Sequence, residues 1–428
     1  MTTYNTYKDS GIAWLGQIPS HWEVKRCRIV LAENTQANSY IETTKQLQFR
    51  YGEIVPKANQ SVDDGVIETI RKYTVVNKGD IMINGLNLNY DFISQRVAQV
   101  IEKGCITSAY IALTPTQIAD SRFYTYFLKA MDNIKMFHGM GSGVRLTLSY
   151  KELKNMYIPI PPLYEQQAMA DYIDEATAKI DEAIAQQQKM IDLLKERKQI
   201  IINEAVTHGL DPNVPMKPTG IDWLPQIPAH WGFVRIKNIA SVKTGKTPPS
   251  EDKHYFDNGT VLWFTPADFD SSNIYLNESQ RHITQKAISE KVAFLFPPNS
   301  VLMIGIGGTL GRIGFCKNSC FSNQQINAII VNNNYNPIYL AYYLKSEFDY
   351  IWSRANTATM PIINQQATKD LLVTCPPFDE QEIIANEIEM KCLPLNEAIS
   401  RHKRMISLFS ERKQIIINNV VTGKIKVV

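Results

Sequence analysis

Several features that mark membrane, secreted or metal-binding proteins are scarce or missing in this chain of 428 residues. Its six cysteines are scattered, and although Cys316 and Cys320 lie four positions apart, no second Cys or His pair follows at zinc-binding spacing. No uninterrupted apolar run reaches the roughly 18 residues that a membrane-spanning helix needs. The opening MTTYNTYKDSG lacks the basic and apolar regions of a signal peptide. These absences predict a cytoplasmic protein with reduced thiols and no bound metal.

The charge of the chain is modest but unevenly distributed. The whole sequence carries a formal net charge of +3. The segment Val24–Tyr150 has 15 Lys and Arg against 11 Asp and Glu, and Val234–Ile362 has 12 against 9. Both segments are therefore mildly basic, which fits phosphate contacts but fits an ordinary mixed surface equally well.

The most informative feature is a repeat. GIAWLGQIPSHW at Gly11–Trp22 returns as GIDWLPQIPAHW at Gly220–Trp231, with nine of twelve positions identical. ERKQIIIN at Glu196–Asn203 returns unchanged at Glu411–Asn418. A period of about 210 residues far exceeds the roughly 20–50 residues of a solenoid unit. The sequence therefore predicts two similar domains, each followed by the same kind of helix, in a chain that reads two similar objects or two halves of one.

Each half contains the same succession of elements. The opening boxes contribute four tryptophans that we interpret as core anchors: Trp14, Trp22, Trp223 and Trp231. Short strands are predicted at Lys72–Val76, Asp80–Ile83 and Ile106–Leu113, and at Val261–Phe264, Ser300–Ile304 and Ile326–Val331. An aromatic helix is predicted at Phe123–Ala130 and again at Tyr339–Ser346, and its rings are expected to fill a core.

Each half ends in a proline-rich exit followed by a long helix. Pro161-Pro162-Leu163-Tyr164-Glu165-Gln166 matches Pro376-Pro377-Phe378-Asp379-Glu380-Gln381. The first helix has a coiled-coil seam at Met169, Ile173, Ala176, Ile180, Ala183, Gln187, Met190 and Leu194, and His208-Gly209 should end it. The second helix has a less regular seam, which Pro394 should kink or interrupt. Because a whole domain separates the helices, antiparallel pairing would place the domains at opposite ends of a rod.

Four stretches imitate catalytic signatures without completing them. Gly245-Lys246-Thr247 resembles the end of a phosphate-binding loop, but Pro248-Pro249 blocks the helix that must follow. Gly305-Ile306-Gly307-Gly308 precedes a predicted strand, which favours a glycine-rich β-turn. Cys375-Pro376-Pro377-Phe378 has a cysteine where adenine methyltransferases need Asn or Asp, and the seven histidines form no recognisable triad. The sequence therefore offers no active site.

The opening boxes, the Pro-Pro exits and the repeated ERKQIIIN helix ends together resemble the specificity subunit of a type I restriction–modification system. The resemblance covers essentially the whole chain. In the second half it includes Gly245-Lys246-Thr247-Pro248, Trp263, Asp268 and the glycine turn near Gly311, whereas Val24–Asn77 is less similar. It implies an α+β fold in which two similar α/β target-recognition domains are separated by two long helices that pair as an antiparallel coiled coil. The implied segments are residues 1–160, the spacer helix 161–209, residues 210–375 and the spacer helix 376–428.

The resemblance also implies partners. Each domain would bind one half of a split double-stranded DNA target, while the helices would set the spacer and dock two modification subunits. Those subunits would hold S-adenosylmethionine and methylate adenine N6, and added motor-nuclease subunits would cleave unmethylated DNA. The chain itself would bind no cofactor and have no catalytic role. Two alternatives remain open: a stand-alone bipartite DNA-binding protein, and a methyltransferase or nuclease in its own right.

The predicted contact residues lie in loops rich in glycine and polar side chains. Direct readout needs Arg, Lys, Asn, Gln, Ser and Thr aimed at base edges. The candidates are Ser142, Arg145 and Thr147 in the first half, and Lys246, Thr247, Thr309, Arg312, Thr359, Asn364 and Gln365 in the second. Glu165, Gln166, Glu380 and Gln381 are interpreted as helix-start and partner-docking residues rather than DNA contacts.

Overall fold

The computed structural model describes residues 3–50, 52–58, 63–141, 146–249, 251–270, 273–357 and 360–427. The chain divides into two compact units: unit 1 comprises Met1–Gln187 and Arg404–Val428, and unit 2 comprises Gln188–Lys403. Both long helices run through both units, whereas the sequence-based scheme treats the helices as separate segments. No helix in the described ranges is both long and apolar enough to cross a membrane.

Unit 1 is built from short strands, three short helices and parts of the two long helices. Its strands are β1 (Tyr7–Asp9), β2 (Gln17–Pro19), β3 (Glu23–Arg26), β4 (Leu31–Glu33), β5 (Leu47–Arg50), β6 (Glu53–Pro56), β7 (Thr74–Val76), β8 (Ile81–Ile83), β9 (Val97–Gln99), β10 (Gly104–Ile106), β11 (Ile111–Pro115) and β12 (Tyr157–Ile160). Its helices are α1 (Asp64–Ile70), α2 (Ser121–Asn133), α3 (Tyr150–Leu153) and the start of α4 (Leu163–His208), with 3-10 turns at Cys27–Ile29 and Met136–Gly139.

Unit 2 repeats this plan. Its strands are β13 (Met216–Ile221), β14 (Leu224–Pro228), β15 (Gly232–Arg235), β16 (Ala240–Thr244), β17 (Val261–Phe264), β18 (His282–Ile283), β19 (Ser300–Ile304), β20 (Ile313–Cys316), β21 (Phe321–Ser322), β22 (Ile326–Val331) and β23 (Leu372–Cys375). Its helices are α5 (Ile236–Ile239), α6 (Gln285–Ser289), α7 (Pro337–Ser346), α8 (Phe348–Ser353), α9 (Gln365–Lys369) and the start of α10 (Phe378–Val421), with 3-10 turns at Lys253–Tyr255 and Pro266–Asp268.

The central sheets of the two units have the same topology. Four antiparallel strands run in the order β4-β11-β8-β9 in unit 1 and β16-β22-β19-β20 in unit 2. The three strands predicted in the second half have the predicted bounds. The run Ile106–Leu113 is instead the end of one strand and the start of another, because a turn closed by Tyr110 N–H and the Thr107 carbonyl separates them.

The tryptophans of the opening boxes are core anchors, as predicted. Trp22 and Trp231 are fully buried. Trp14 and Trp223 are half-buried and pack beside Phe127 of α2 and Tyr350 of α8, with ring centroids 5.6 and 4.1 Å apart. The aromatic helices α2 and α7 lie in the same cores, so their rings provide packing rather than base stacking.

The long helices α4 and α10 pair in antiparallel orientation within each unit. In unit 1, Lys413 Nζ lies 2.7 Å from the Asp181 carboxylate, and Ile173 and Val420 share one apolar cluster. In unit 2, Lys198 Nζ donates to Asn396 Oδ1 at 2.7 Å. Asp181 and Lys198 are 17 residues apart in α4, and their respective partners, Lys413 and Asn396, are 17 residues apart in α10 in the opposite order.

One position of the predicted seam in α4 is wrong, and the interruption of α10, one of the two effects predicted for Pro394, does not occur. Met190 is 44% exposed and its neighbour Ile191 is 2% exposed, because the buried face of an α-helix drifts from a strict seven-residue pattern. Pro394 does not interrupt α10, which continues to Val421. Proline cannot donate to the Met390 carbonyl, but both residues are exposed, so water can take the place of the missing N–H. The end of α4 at His208, followed by Gly209 with φ of 78°, is as predicted.

Candidate nucleic-acid interface

A carboxylate in the first turn of each long helix holds the opening box of the same unit. Glu165 accepts hydrogen bonds from Trp22 Nε1 at 3.0 Å and Tyr4 Oη at 3.1 Å, and lies 2.6 Å from His21 Nε2. Burial, together with this carboxylate, raises the pKa of the Tyr4 hydroxyl, so it remains a donor. In unit 2, Glu380 takes the same place, 3.0 Å from Trp231 Nε1 and 2.8 Å from His230 Nε2. The repeated His-Trp pair thus fixes the start of each helix.

In each unit, the glutamine that follows this glutamate connects the aromatic helix to the proline-rich exit by hydrogen bonds. Gln166 Oε1 accepts from the Asp120 backbone N–H at 2.8 Å, and its Nε2 donates to the Pro161 carbonyl at 2.8 Å. Gln381 bonds the Asn336 N–H and the Pro376 carbonyl at 2.8 and 2.9 Å. Asp120 and Asn336 are the N-caps of α2 and α7. The helix-start role of the four Glu and Gln residues is therefore visible in the structure, while their docking of a partner stays a prediction.

Replacing Glu165 with Gln is expected to destabilise unit 1 by about 2–3 kcal/mol, because a buried charged acceptor would be lost and an amide would face N–H donors. The measurement is amide hydrogen exchange of unit 1 at increasing urea concentrations. Glu175→Gln is the control, since Glu175 is exposed and its ion pair with Lys179 lies on the helix surface. Equal stability of the Glu165 and Glu175 variants would contradict this assignment.

Two loops meet at one edge of the central sheet in unit 2. The first is residues 305–312, between β19 and β20, and the second is residues 356–364, before α9. Ile363 N–H donates to the Gly305 carbonyl at 2.8 Å, and Gly307 N–H donates to the Pro361 carbonyl at 3.0 Å. A Cβ on Gly305 would lie 2.9 Å from the Ile363 carbonyl oxygen, so this close approach requires glycine. We call these segments the paired loops.

Unit 1 has its own paired loops at the equivalent position. The first is residues 84–96, between β8 and β9, and the second is residues 139–149, before α3. Leu148 N–H donates to the Gly85 carbonyl at 2.9 Å, and Leu88 N–H donates to the Leu146 carbonyl at 3.1 Å. A Cβ on Gly85 would lie 2.4 Å from the Leu148 carbonyl oxygen. The same surface is thus built twice from sequences that share little but the glycine.

Of the seven predicted contact residues that the structure describes, four lie on the paired loops. Thr309 and Arg312 belong to the first loop of unit 2, and Arg312 is exposed. Asn364 ends the second loop, where its side chain accepts from Ala367 N–H at 2.8 Å and caps α9. Thr147 lies on the second loop of unit 1. The other predicted contacts Ser142, Arg145 and Thr359 lie outside the described residues.

The remaining described candidates of unit 2 lie next to the paired loops, with Lys246 and Thr247 on the loop after β16 and Gln365 at the start of α9. The side-chain amide of Gln365 is 2.9 Å from the Thr244 hydroxyl at the end of β16, and Lys246 and Thr247 follow two and three residues later. Lys246 is exposed, with Nζ 3.4 Å from the Lys291 carbonyl and 5.6 Å from the Phe294 ring centroid. Thr247 bonds the side chain of Gln324. The structure therefore groups Lys246, Thr247 and Gln365 beside the paired loops.

The imitations of catalytic loops are structural turns. After Thr244, residues 245–249 have no regular secondary structure and the next described element is a 3-10 turn at Lys253–Tyr255, so Gly245-Lys246-Thr247 does not lead into a helix N-terminus that could face a phosphate. The glycine turn at residues 305–308 leads into β20, as predicted. Among the described residues, no three His, Cys, Asp or Glu side chains lie close enough to share a metal ion.

Sequence reasoning missed the first loop of unit 1. Tyr90, Phe92 and Ile93 project from it and are exposed, whereas Arg96 at its end is fully buried. The available signal was the stretch NLNYDFIS, in which large apolar residues occur among turn-forming Asn, Asp and Ser. Exposed aromatic and aliphatic residues on a polar turn indicate a contact surface rather than a core strand.

Comparisons with known proteins agree with this duplicated architecture. The family described as Type I restriction modification DNA specificity domain matches residues 22–191 and 228–389. The chain is 29% identical over 163 residues to the type I restriction enzyme MjaIX specificity subunit of Methanocaldococcus jannaschii, a match that covers 37% of each chain. It is 22% identical over 440 residues to the MjaVIII specificity subunit of the same organism, covering 96% of this chain and 94% of that relative.

A solved structure has the same fold. The chain comes from a study of complex assembly and conformational transition in the type I restriction–modification system, and it superimposes with a TM-score of 0.64 at 14% identity. The superposition covers 95% of this chain and 99% of that chain, and it confirms the predicted fold class. With two matched domains and a relative aligned along nearly the whole of both chains, the chain belongs to the type I restriction–modification DNA specificity family and is a specificity subunit.

Proposed function

We propose that each unit reads one half of a split double-stranded DNA target with its paired loops. The observation that carries this proposal is the duplication itself, since the same two loops meet through equivalent backbone hydrogen bonds in both units. In each loop pair, one glycine allows the two backbones to approach closely. The other loop positions can therefore differ between the two units. Two copies of one scaffold with different loop residues suit the reading of two different half-sites.

The exposed side chains on unit 2 have the chemistry for this task. Arg312 can bond guanine O6 and N7, Gln365 can bond adenine N6 and N7, and Lys246 can contact phosphate. Asn364 is less free, because its side-chain oxygen already caps α9. The modest net charge of +3 is compatible with DNA binding if partner subunits supply much of the phosphate contact.

The family role is specificity, so catalysis belongs to partners. The exits and helix starts occur twice in the chain, which fits the docking of two modification subunits that hold S-adenosylmethionine and methylate adenine N6. Motor-nuclease subunits would complete a cytoplasmic complex that cleaves unmethylated foreign DNA. In this scheme the chain selects the target sequence and binds no cofactor of its own.

Arg312→Ala is expected to cost about 1–3 kcal/mol in DNA binding and to relax the choice at one base pair of one half-site. The measurement is binding of the assembled complex to duplexes varied at each position of both half-sites. Lys286→Ala on α6 is a charge-matched control that should bind as the wild type does. An equal loss on all sequences, with a salt slope lower by about one, would make Arg312 a phosphate contact and contradict base readout.

A further inference from the structure

The first loop of unit 1 is longer than the equivalent loop of unit 2 and carries different side chains. Thirteen residues, 84–96, connect β8 to β9, whereas eight residues, 305–312, connect β19 to β20. The shorter loop contains four glycines, and its Leu310 is fully buried. The longer loop presents Tyr90 and Ile93 to solvent, 77% and 94% exposed, with Phe92 beside them. The two units therefore differ at this loop both in its length and in its exposed side chains.

The longer loop is held in shape from inside by Arg96, whose side chain is 1% exposed. Its Nη1 donates to the carbonyls of Asn84 and Leu86 at 3.1 and 2.8 Å, and its Nη2 donates to those of Asp91 and Asn87 at 2.8 and 3.4 Å. Four backbone acceptors spread over eight residues are thus tied to a single guanidinium group. Such a loop is an ordered support for the side chains at its tip.

Two carboxylates, those of Asp91 and Asp132, also stabilise the longer loop. Asp91 accepts from Ile93 and Ser94 N–H at 3.0 and 2.9 Å, and the Ser94 backbone bond lowers the pKa of Asp91 to about 2, so this group is ionised at neutral pH. Asp132 of α2 accepts from the Arg96 backbone N–H at 2.7 Å. The single acidic residue of the loop is therefore engaged with its own backbone, and the tip presents apolar rings and chains.

The tip lies beside the candidate interface of unit 1. Leu88 N–H bonds the Leu146 carbonyl, one residue before the predicted contact Thr147. On the other side, the Phe92 ring stacks on His138 with centroids 4.6 Å apart and an interplanar angle of 22°. An ordered apolar projection next to a polar reading loop matches the side chains that architectural proteins insert between DNA base steps.

We propose that Tyr90 and Ile93 form an apolar wedge that enters between base pairs of the half-site read by unit 1. This inference rests on the proposed DNA-reading function of the paired loops. Methylation of a base inside a duplex requires that the base leave the stack, and a wedge lowers the stacking that must be broken. In unit 2 the equivalent loop, residues 305–312, carries no strongly exposed aromatic or aliphatic side chain, so we expect this wedge at the unit 1 half-site.

The test places 2-aminopurine, which fluoresces strongly when unstacked, at successive positions of each half-site in a duplex bound by the assembled complex. Fluorescence is expected to rise severalfold at one step of the unit 1 half-site. The double variant Tyr90→Ser/Ile93→Ser should abolish this rise and weaken binding by about 10–100-fold, since two large apolar side chains lose their burial. Fluorescence changes in the unit 2 half-site should be the same as with wild type.

Two further variants separate a wedge from a general effect. Ile101→Ser, an exposed residue beyond the opposite end of β9, should leave both signals unchanged, and Tyr90→Phe with Ile93→Leu should restore the unit 1 signal. An unaltered unit 1 signal in the serine variant, or equal loss in both half-sites, would overturn the wedge. The wedge would also be overturned if the serine variant lost modification-subunit binding but retained the DNA signals, because the tip would then contact protein. Failure of wild-type complex to protect either half-site would instead reject the proposed function.

Discussion

Inserting four residues into both long helices at matched positions is expected to lengthen the preferred DNA spacer by about two base pairs. Four residues add roughly 6 Å of α-helix, and DNA rises about 3.4 Å per base pair. The matched positions follow from the antiparallel register: an insertion after Lys189 of α4 corresponds to one after Arg404 of α10. Paired insertions keep Asp181 with Lys413 and Lys198 with Asn396.

The expected change in rotation is small for this insertion. Four residues turn an α-helix through about 1.1 turns, a net rotation of roughly 40°, while two base pairs rotate DNA by about 70°. Twist and side-chain adjustment can absorb the difference. Two-residue insertions add only about 3 Å but rotate each helix by about 200°, so they should expose the buried seam and abolish activity.

Methylation mapping on DNA with the original half-sites at a range of spacings measures this effect. Four residues inserted into α4 alone serve as the control, because the register shift must break either the Lys413–Asp181 or the Lys198–Asn396 contact, and this variant should lose most activity. An active paired variant with an unchanged spacer would show that the helices do not set the distance.

Exchanging Val24–Tyr150 for the matching segment of another specificity subunit is expected to replace one half of the target and leave the other half intact. Provided that the donor segment matches Arg122 and Tyr126, which contact Asp174 of α4, two features of the structure favour exchange of the segment as a block. His21, Trp22 and Glu165 all lie outside it, so the contact between the opening box and the helix start is retained. Within the segment, Gln166 bonds only backbone groups, the Asp120 N–H and the Ile118 carbonyl, which any donor sequence provides.

Genome-wide mapping of methylated adenines in cells that carry the exchanged chain tests this expectation. The reciprocal exchange of Val234–Ile362 is the matched control and should change only the other half. Changes in both halves after either exchange would mean that the two units do not read independently. A complex that assembles but methylates nothing would show that the exchanged segment also contributes to catalysis by its partners.

The sequence by itself determined the duplicated plan of this protein. The opening boxes, exits and ERKQIIIN ends lie at matching intervals, and local signals such as the Pro-Pro exits and Gly209 fixed the ends of the helices. The strands β17, β19 and β22 were predictable because each is a short apolar run bounded by polar or turn-forming residues. These features depend on residues close together in the chain, so they can be recognised without knowledge of the fold.

Only the tertiary structure decided how those elements are joined and which surfaces remain exposed. Glu165 accepts hydrogen bonds from Tyr4 and Trp22, more than 140 residues away, and Gly85 needs its small size because of Leu148, which no local pattern reveals. The helix register placed Ile191 rather than Met190 in the core. Arg96 would ordinarily be placed on the surface, yet its guanidinium group organises a loop from within. Burial and hydrogen-bond partners are set by chain segments that meet only after folding, and for that reason the apolar tip at Tyr90 became visible only in three dimensions.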